Sequence, residues 1–138
     1  MKIVPSEFSN SAWDCFILAK EIAYKNHQQN VDSDNLFLAL IKQDNLTKKI
    51  LKKKNVNIKE IEKEIISSLN LKAKMKNKQD NLYIGDTLHK IFLKANDIKN
   101  TLNDVVISTE HLIYGLTYDD KYGFKILNQK AFQNFLKL

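Results

Sequence analysis

The sequence predicts an all-α fold of eight helices, arranged as two four-helix repeats about a pseudo-twofold axis. The main observation is that the chain aligns with itself at an offset of 76 positions, where residues 12–40 match residues 88–116 without a gap. The second observation is that apolar residues recur at i, i+3, i+4 and i+7, which is the spacing of amphipathic helices. The third is that 138 residues include only three glycines and one proline, which disfavours turn-rich β structure. Within this span the identical residues are all apolar: Phe16/Phe92, Ala19/Ala95, Ile22/Ile98, Leu36/Leu112 and Leu40/Leu116.

The first repeat is predicted over about residues 8–69. Its first helix runs from about Ser9 to about Asn26, with Ser9 or Asn10 as the N-cap and Phe8 as the staple residue before it. Asp32 or Ser33 is expected to cap the second helix. The second, third and fourth helices are predicted over Asp34–Lys42, over Leu46–Lys53, and through Ile58, Ile61, Ile65 and Leu69.

A lysine-rich connector over about residues 70–82 is predicted to precede the second repeat. Its alternating lysines are compatible with a short strand, but its charge and its lack of β-forming residues favour a solvated linker. The second repeat covers about residues 83–138, and residues 1–138 form one domain. Its helices are predicted over Asp86–Lys99, through Leu112–Leu116 after a Ser108 cap, through Phe124–Leu127, and through Phe132, Phe135 and Leu136.

The composition excludes several classes of protein. No apolar run approaches the ~18 residues that a membrane span needs, and the amino terminus has no secretory signal, so we expect a cytoplasmic protein without a membrane partner. The net charge of +6 comes from 22 basic residues that are all lysine. Because base contacts and bidentate phosphate contacts favour arginine, a solvated surface is favoured over nucleic-acid binding.

The sequence carries no recognisable catalytic, cofactor or metal motif. The three glycines are isolated, so no phosphate-binding loop is present, and the three histidines lack further ligands at metal spacing. Cys15 lies on the apolar stripe of the first helix, where a buried thiol is expected. We therefore predict a segment that is not an enzyme and that binds neither a cofactor nor a metal.

Two carboxylates occupy equivalent places in the repeats. Asp34 and Glu110 each fall in the first turn of a predicted helix, where a negative charge is favoured by ~0.3–1 kcal/mol. They would alternatively flank a surface site for cationic or polar groups of a partner. The residues alone favour the helix-dipole interpretation.

The two copies together resemble the amino-terminal domain of the Clp ATPases. The first copy reads SAWDCFILAKEIA followed by NVDSDNLFLALIKQD, and the second reads TLHKIFLKANDI followed by VVISTEHLIYGLTYDD. The LYIGDTLHKIF stretch and the Ala-Trp pair in the first helix are most similar to ClpB-type disaggregases. The resemblance implies a helical module, tethered in front of ATPase rings, that engages unfolded or aggregated polypeptides. In ClpA and ClpC relatives the module docks adaptor proteins.

The resemblance also implies a set of substrate-binding residues. These are the polar residue before the first helix, an apolar groove position, the acid before the second hallmark string and the acid within it: Ser9, Phe92, Asp104 and Glu110. The first copy has Asp34-Asn35 where the family usually has Glu-His, which disfavours recognition of phosphorylated arginine through both copies. The alternative functions are an adaptor-docking domain of a ClpC- or ClpA-type protease ATPase, or a free-standing accessory subunit of a Clp protease.

Overall fold

A computed structural model describes residues 1–119 of the chain. A 3-10 turn (Pro5–Glu7) precedes six α-helices and two strands of two residues each. The helices are α1 (Asn10–Lys25), α2 (Ser33–Gln43), α3 (Asn45–Lys53), α4 (Ile58–Leu71), α5 (Asp86–Thr101) and α6 (Thr109–Leu116), and the strands are β1 (Asn30–Val31) and β2 (Tyr83–Ile84).

The prediction of a mostly helical fold is confirmed, with two differences. The described part has six helices rather than eight, because the helices predicted through Phe124–Leu127 and Phe132–Leu136 lie outside the described residues. The all-α assignment also omits a parallel strand pair, in which Asn30 and Val31 face Tyr83 and Ile84. The backbone N–H groups of Tyr83 and Gly85 donate to the carbonyls of Gln29 and Val31, so the end of the lysine-rich linker is fixed to the first half of the chain.

The amino end of α1 forms as its sequence predicts. Ser9 is the N-cap, and its hydroxyl accepts a hydrogen bond from the Ala12 N–H at 3.1 Å. Phe8 and Trp13 hold the N′ and N4 positions, and their ring centroids lie 5.5 Å apart as a hydrophobic staple.

Helix boundaries repeat at the 76-residue offset. Helices α1 and α5 have equal lengths of 16 residues, and they begin at Asn10 and Asp86. Helices α2 and α6 begin at Ser33 and Thr109, which are also 76 positions apart. His27 and Asn103, again 76 apart, both adopt the left-handed conformation, with φ of 55° and 58°.

Extended segments of the two halves pair with each other. Phe8 pairs with Ile107 in a parallel bridge, and Val31 pairs with Ile84. The Ser9 N–H donates to the Ile107 carbonyl at 2.8 Å, as the Gly85 N–H donates to Val31 at 2.9 Å. Thus the segment before α1 pairs with the segment before α6. In the same way, the segment before α5 pairs with the segment before α2.

One apolar core connects the described helices. Its centre includes an aromatic cluster in which Phe92 contacts Phe8 and Phe16 edge-to-face, at centroid distances of 5.6 and 5.3 Å. Cys15 is 2% exposed, which confirms the prediction of a buried thiol. The core therefore joins α1, α5 and the amino-terminal segment, and it leaves the first turn of α6 near the surface.

Candidate functional site

Three of the four predicted site residues lie around the amino end of α6. Ser9 reaches this region because its N–H donates to the carbonyl of Ile107, one residue before the Ser108 N-cap. Ser108 and His111 form a capping box, in which the Ser108 N–H donates to His111 Nδ1 at 2.8 Å. The bond from the Ser108 N–H to Nδ1 fixes the orientation of the imidazole ring.

His111 holds the two predicted acids together. Its Nε2 lies 2.7 Å from Asp104 Oδ2 and 3.8 Å from Glu110 Oε1. Because Nδ1 accepts a backbone hydrogen bond, the proton of the neutral ring is on Nε2, which donates to Asp104. The imidazole is 1% exposed, whereas the side chains of Asp104 and Glu110 are 43% and 41% exposed. Sequence reasoning missed His111, although its three-residue spacing from Ser108 is typical of a capping partner.

The same three side chains form a group with metal-ligand chemistry that the sequence did not predict. Ligand atoms of Asp104, Glu110 and His111 lie within 4.8 Å of one another. The hydrogen bonding disfavours a metal, because Nε2 is already protonated. Moving that proton to Nδ1 would break the bond from the Ser108 N–H. The arrangement instead leaves two half-exposed carboxylates beside a buried imidazole of fixed orientation.

Phe92 is not an open groove position. Its side chain is 0% exposed and is enclosed by Phe8 and Phe16. The expectation that it contacts substrate directly is corrected because the aromatic cluster needs this ring at its centre. The exposed apolar side chain of this region is Val105, which is 89% exposed and follows Asp104 in the chain.

The first half has an equivalent network made from neutral groups. Asn35 Oδ1 accepts from the Asp32 N–H at 2.9 Å, and Asn35 Nδ2 donates to Gln28 Oε1 at 3.0 Å. These residues lie 76 positions before their counterparts, which are His111 for Asn35, Ser108 for Asp32 and Asp104 for Gln28. The first half therefore keeps the capping geometry without the acid–imidazole contact.

Asp34, the counterpart of Glu110, is buried rather than exposed. Its side chain is 3% exposed, and its Oδ2 lies 2.7 Å from Nζ of Lys72. Its Oδ1 also accepts a hydrogen bond from the Asn35 N–H at 3.0 Å. The helix-dipole interpretation of Asp34 is thus incomplete, because no local pattern indicates a lysine partner 38 positions away.

Two clefts flank the long helices. The α1–α6 cleft has a volume of about 530 Å³ and lies between α1, the junction of α2 with α3, and Thr109. The α2–α5 cleft has a volume of about 340 Å³ and lies between α5 and the first turn of α2. Cys15 lines the α1–α6 cleft, where burial raises its pKa from 9.0 to about 12, with further contributions from Asp44 and Asp14. The thiol is therefore protonated at neutral pH and is not an activated nucleophile.

The comparison with protein families identifies the domain. The family described as "Clp repeat (R) N-terminal domain" matches residues 7–130. The chain belongs to this Clp N-terminal domain family. No helix among residues 1–119 is both long enough and apolar enough to cross a bilayer.

Sequence relatives are ClpB chaperones. The chain is 30% identical over 126 residues to the chaperone protein ClpB of Gloeobacter violaceus, covering 91% of this chain and 14% of that protein. It is 32% identical over 127 residues to ClpB of Prochlorococcus marinus, covering 92% of this chain and 15% of the relative. The chain thus spans about one seventh of the length of these relatives.

Solved structures share the fold at lower identity. The Hsp104 N-terminal domain of Candida albicans superimposes with a TM-score of 0.73 at 17% identity, covering 95% of this chain and 80% of that one. The N-domain of ClpV from Vibrio cholerae gives a TM-score of 0.76 at 13% identity, with coverages of 94% and 82%. The N-terminal domain of the Caseinolytic protease associated chaperone ClpD from Arabidopsis thaliana gives 0.68 at 17% identity, with both chains fully covered.

Proposed function

We propose that this Clp N-domain recruits unfolded or aggregated polypeptides for a ClpB-like disaggregase in the cytoplasm. The observation that carries the proposal is the surface at the amino end of α6, where the carboxylates of Asp104 and Glu110 are half-exposed and Val105, the residue after Asp104, is 89% exposed. Such a surface offers apolar contact and hydrogen-bond acceptors to an extended chain. The similarity to ClpB chaperones supports the same assignment.

Weak and reversible capture is the expected mechanism. Apolar area removed from water contributes about 25 cal/mol per Å², and ordering of the bound segment offsets much of this gain. One exposed valine and two carboxylates therefore give low affinity, which suits a module that must release its client. The buried imidazole keeps the Asp104 carboxylate in a fixed position, so the protein side loses little freedom on binding.

We also infer that the two halves are pseudo-twofold repeats. The shared helix boundaries and the reciprocal strand pairings at the 76-residue offset support this arrangement. One consequence is that Asp104 and Glu110 mark only one of two related surfaces, since their counterparts are the amide Gln28 and the buried Asp34. Of these two related surfaces, the one at the amino end of α6 is therefore the proposed client contact.

A titration with a permanently unfolded protein tests the recruitment proposal. We expect backbone resonances of Asp104, Val105 and Glu110 to shift when a client with carboxymethylated cysteines is added, while Val105→Ser weakens binding about threefold. The matched control is Leu71→Ser, because Leu71 is 87% exposed but lies at the end of α4. Equal effects of the two substitutions, or unmoved resonances at the α6 surface, would contradict the site.

Adaptor docking is the second candidate function. The fold shared with the ClpD N-terminal domain favours it, since that protein is described as associated with a protease. Candidate partners are adaptor proteins or the ATPase ring of a parent Clp protein. Stable co-purification with Clp protease subunits in the absence of unfolded client would favour this function over direct recruitment.

A further inference from the structure

The α1–α6 cleft and the α2–α5 cleft are counterparts in the two halves. Both clefts lie between the outer face of a long helix and the first turn of the other half's second helix. Four lining positions correspond at the 76-residue offset, namely Ser11/Thr87, Asp14/Lys90, Cys15/Ile91 and Thr109/Ser33. The side chains that fill the α2–α5 cleft therefore indicate what kind of group the α1–α6 cleft can bind.

The α2–α5 cleft already contains a cationic side chain of the chain itself. Lys72 extends from the end of α4 into this cleft, and its Nζ lies 2.7 Å from Oδ2 of the buried Asp34. Lys90 on α5 adds a second positive charge to the cleft wall. Asp34 is thus paired internally, and Asp32 accepts hydrogen bonds from the N–H groups of Ser33 and Leu88. Asp119 also lines the cleft, so its described lining holds three aspartates and two lysines.

The α1–α6 cleft carries more net negative charge, because two lysines offset most of the aspartate charge that lines the α2–α5 cleft. Asp14, Glu21 and Asp44 line it, and none of the described residues that line it is a lysine. Lys25 pairs with Glu21 at 2.8 Å, and Asp44 caps α3, so Asp14 is the carboxylate most available to a ligand. In a chain of net charge +6, a cleft with this lining is a local concentration of negative charge.

The apolar part of the same cleft suits an aliphatic stem. Ile17 is 44% exposed and lines the cleft together with the partly buried Leu18. Lysine and arginine side chains pack their methylene stems on apolar surface and keep the charged head on a polar rim. Burial is the main cause of the raised pKa of the Cys15 thiol, and the negative charges of Asp44 and Asp14 raise it further.

We propose that the α1–α6 cleft binds a lysine- or arginine-bearing apolar segment of a client polypeptide, with the cationic head at Asp14 and the stem on Ile17 and Leu18. This proposal rests on the recruitment function and adds a charge preference to it. In the other half, Lys72 likewise places a cationic head on a cleft carboxylate, although Asp34 is not the counterpart position of Asp14.

Matched peptides test the charge preference. Three fluorescently labelled, unstructured peptides carry the same leucines and valines, with lysine, glutamine or glutamate at the intervening positions. We expect the lysine peptide to bind about fivefold more tightly than the glutamine peptide at low salt, and the difference to shrink at higher ionic strength. The glutamate peptide should bind most weakly.

A substitution taken from the other half locates the binding site. Asp14→Lys introduces the residue found at the counterpart position Lys90, and it should abolish the preference for lysine. Asp97→Lys is the matched control, because it makes the same change of charge at an exposed position of α5 outside the cleft. Asp14→Asn should reduce the preference without reversing charge, and circular dichroism checks that each variant is folded.

The possible results separate this inference from the recruitment function. Equal affinities for the lysine and glutamine peptides, or equal losses in Asp14→Lys and Asp97→Lys, would overturn the cleft assignment even if unfolded client still binds at Val105. A lysine preference that depends on Asp14, in a domain that fails to bind unfolded client, would support the cleft and overturn the recruitment function.

Discussion

Asp32 caps two helices from different halves of the chain. Its Oδ1 accepts hydrogen bonds from the N–H of Ser33 in α2 and from the N–H of Leu88 in α5, both at 2.9 Å. The N-cap of α5 is Gly85, which has no side chain to perform this role, whereas its counterpart Ser9 caps α1 with its own hydroxyl. A β-carbon at Gly85 would come within van der Waals overlap of the Asp32 carboxylate. The glycine therefore leaves room for a cap that comes from the other half.

We expect Gly85→Ala to destabilise the domain by about 1–2 kcal/mol, because the added methyl group displaces the Asp32 carboxylate from the α5 cap. Urea unfolding measures the effect. Asp32→Ala should cost at least as much, since it uncaps both helices. In that background Gly85→Ser should restore part of the loss by supplying the hydroxyl that Ser9 supplies to α1. A further loss in the double variant would contradict this account.

The Cys15 thiol gives a pH-dependent prediction. Because its pKa rises from 9.0 to about 12 on folding, the folded protein holds the proton more tightly than the unfolded chain. This contribution to stability is complete below pH 9 and is lost as the pH rises from 9 towards 12, at up to about 1.4 kcal/mol per pH unit. The difference in unfolding free energy between the native sequence and Cys15→Ala isolates the effect from other groups. A difference that stays constant between pH 7 and pH 11 would contradict it.

At the level of elements, His111 links the cap of α6 to the proposed binding surface. His111→Ala should destabilise the domain by about 1–3 kcal/mol, because it removes one side of the capping box and the partner of Asp104. His111→Asn should cost less, since asparagine performs the capping role at the counterpart position Asn35. Thermal unfolding ranks the variants, and equal losses in both would show that the cap contributes little.

Helices and their caps could be predicted from the sequence, but contacts between distant segments could not. The spacing of apolar residues and the polar residue before each helix are local features, so α1 and its Ser9 cap follow directly from the chain. Two-residue strands carry no periodicity, and the Asp34–Lys72 pair joins residues whose proximity depends on how α2 and α4 pack. The resemblance pointed to Asp104, Glu110 and Phe92 alike, although Phe92 is 0% exposed, because a motif match does not report burial.

For the whole molecule, substitutions of Phe92 distinguish a role in core stability from a role in client binding. Phe92→Ala should destabilise the domain by about 3–5 kcal/mol, because it opens a cavity between α1, α5 and the amino-terminal segment. Phe92→Leu should fold with a smaller loss and should bind unfolded client as the native sequence does. Urea unfolding and the client titration measure the two properties separately. Loss of binding in a stably folded Phe92→Leu variant would return this residue to the binding surface.

The bridge between Phe8 and Ile107 has a consequence for the order in which the chain acquires its structure. The two residues are 99 positions apart, so the segment around Phe8 is synthesised long before the segment with which its backbone pairs. Closing so long a loop costs conformational entropy before the contacts between its ends can offset that cost. On the ribosome, the early helices therefore emerge with their apolar faces incompletely covered. The domain thus passes through a period in which its own amino terminus is unprotected.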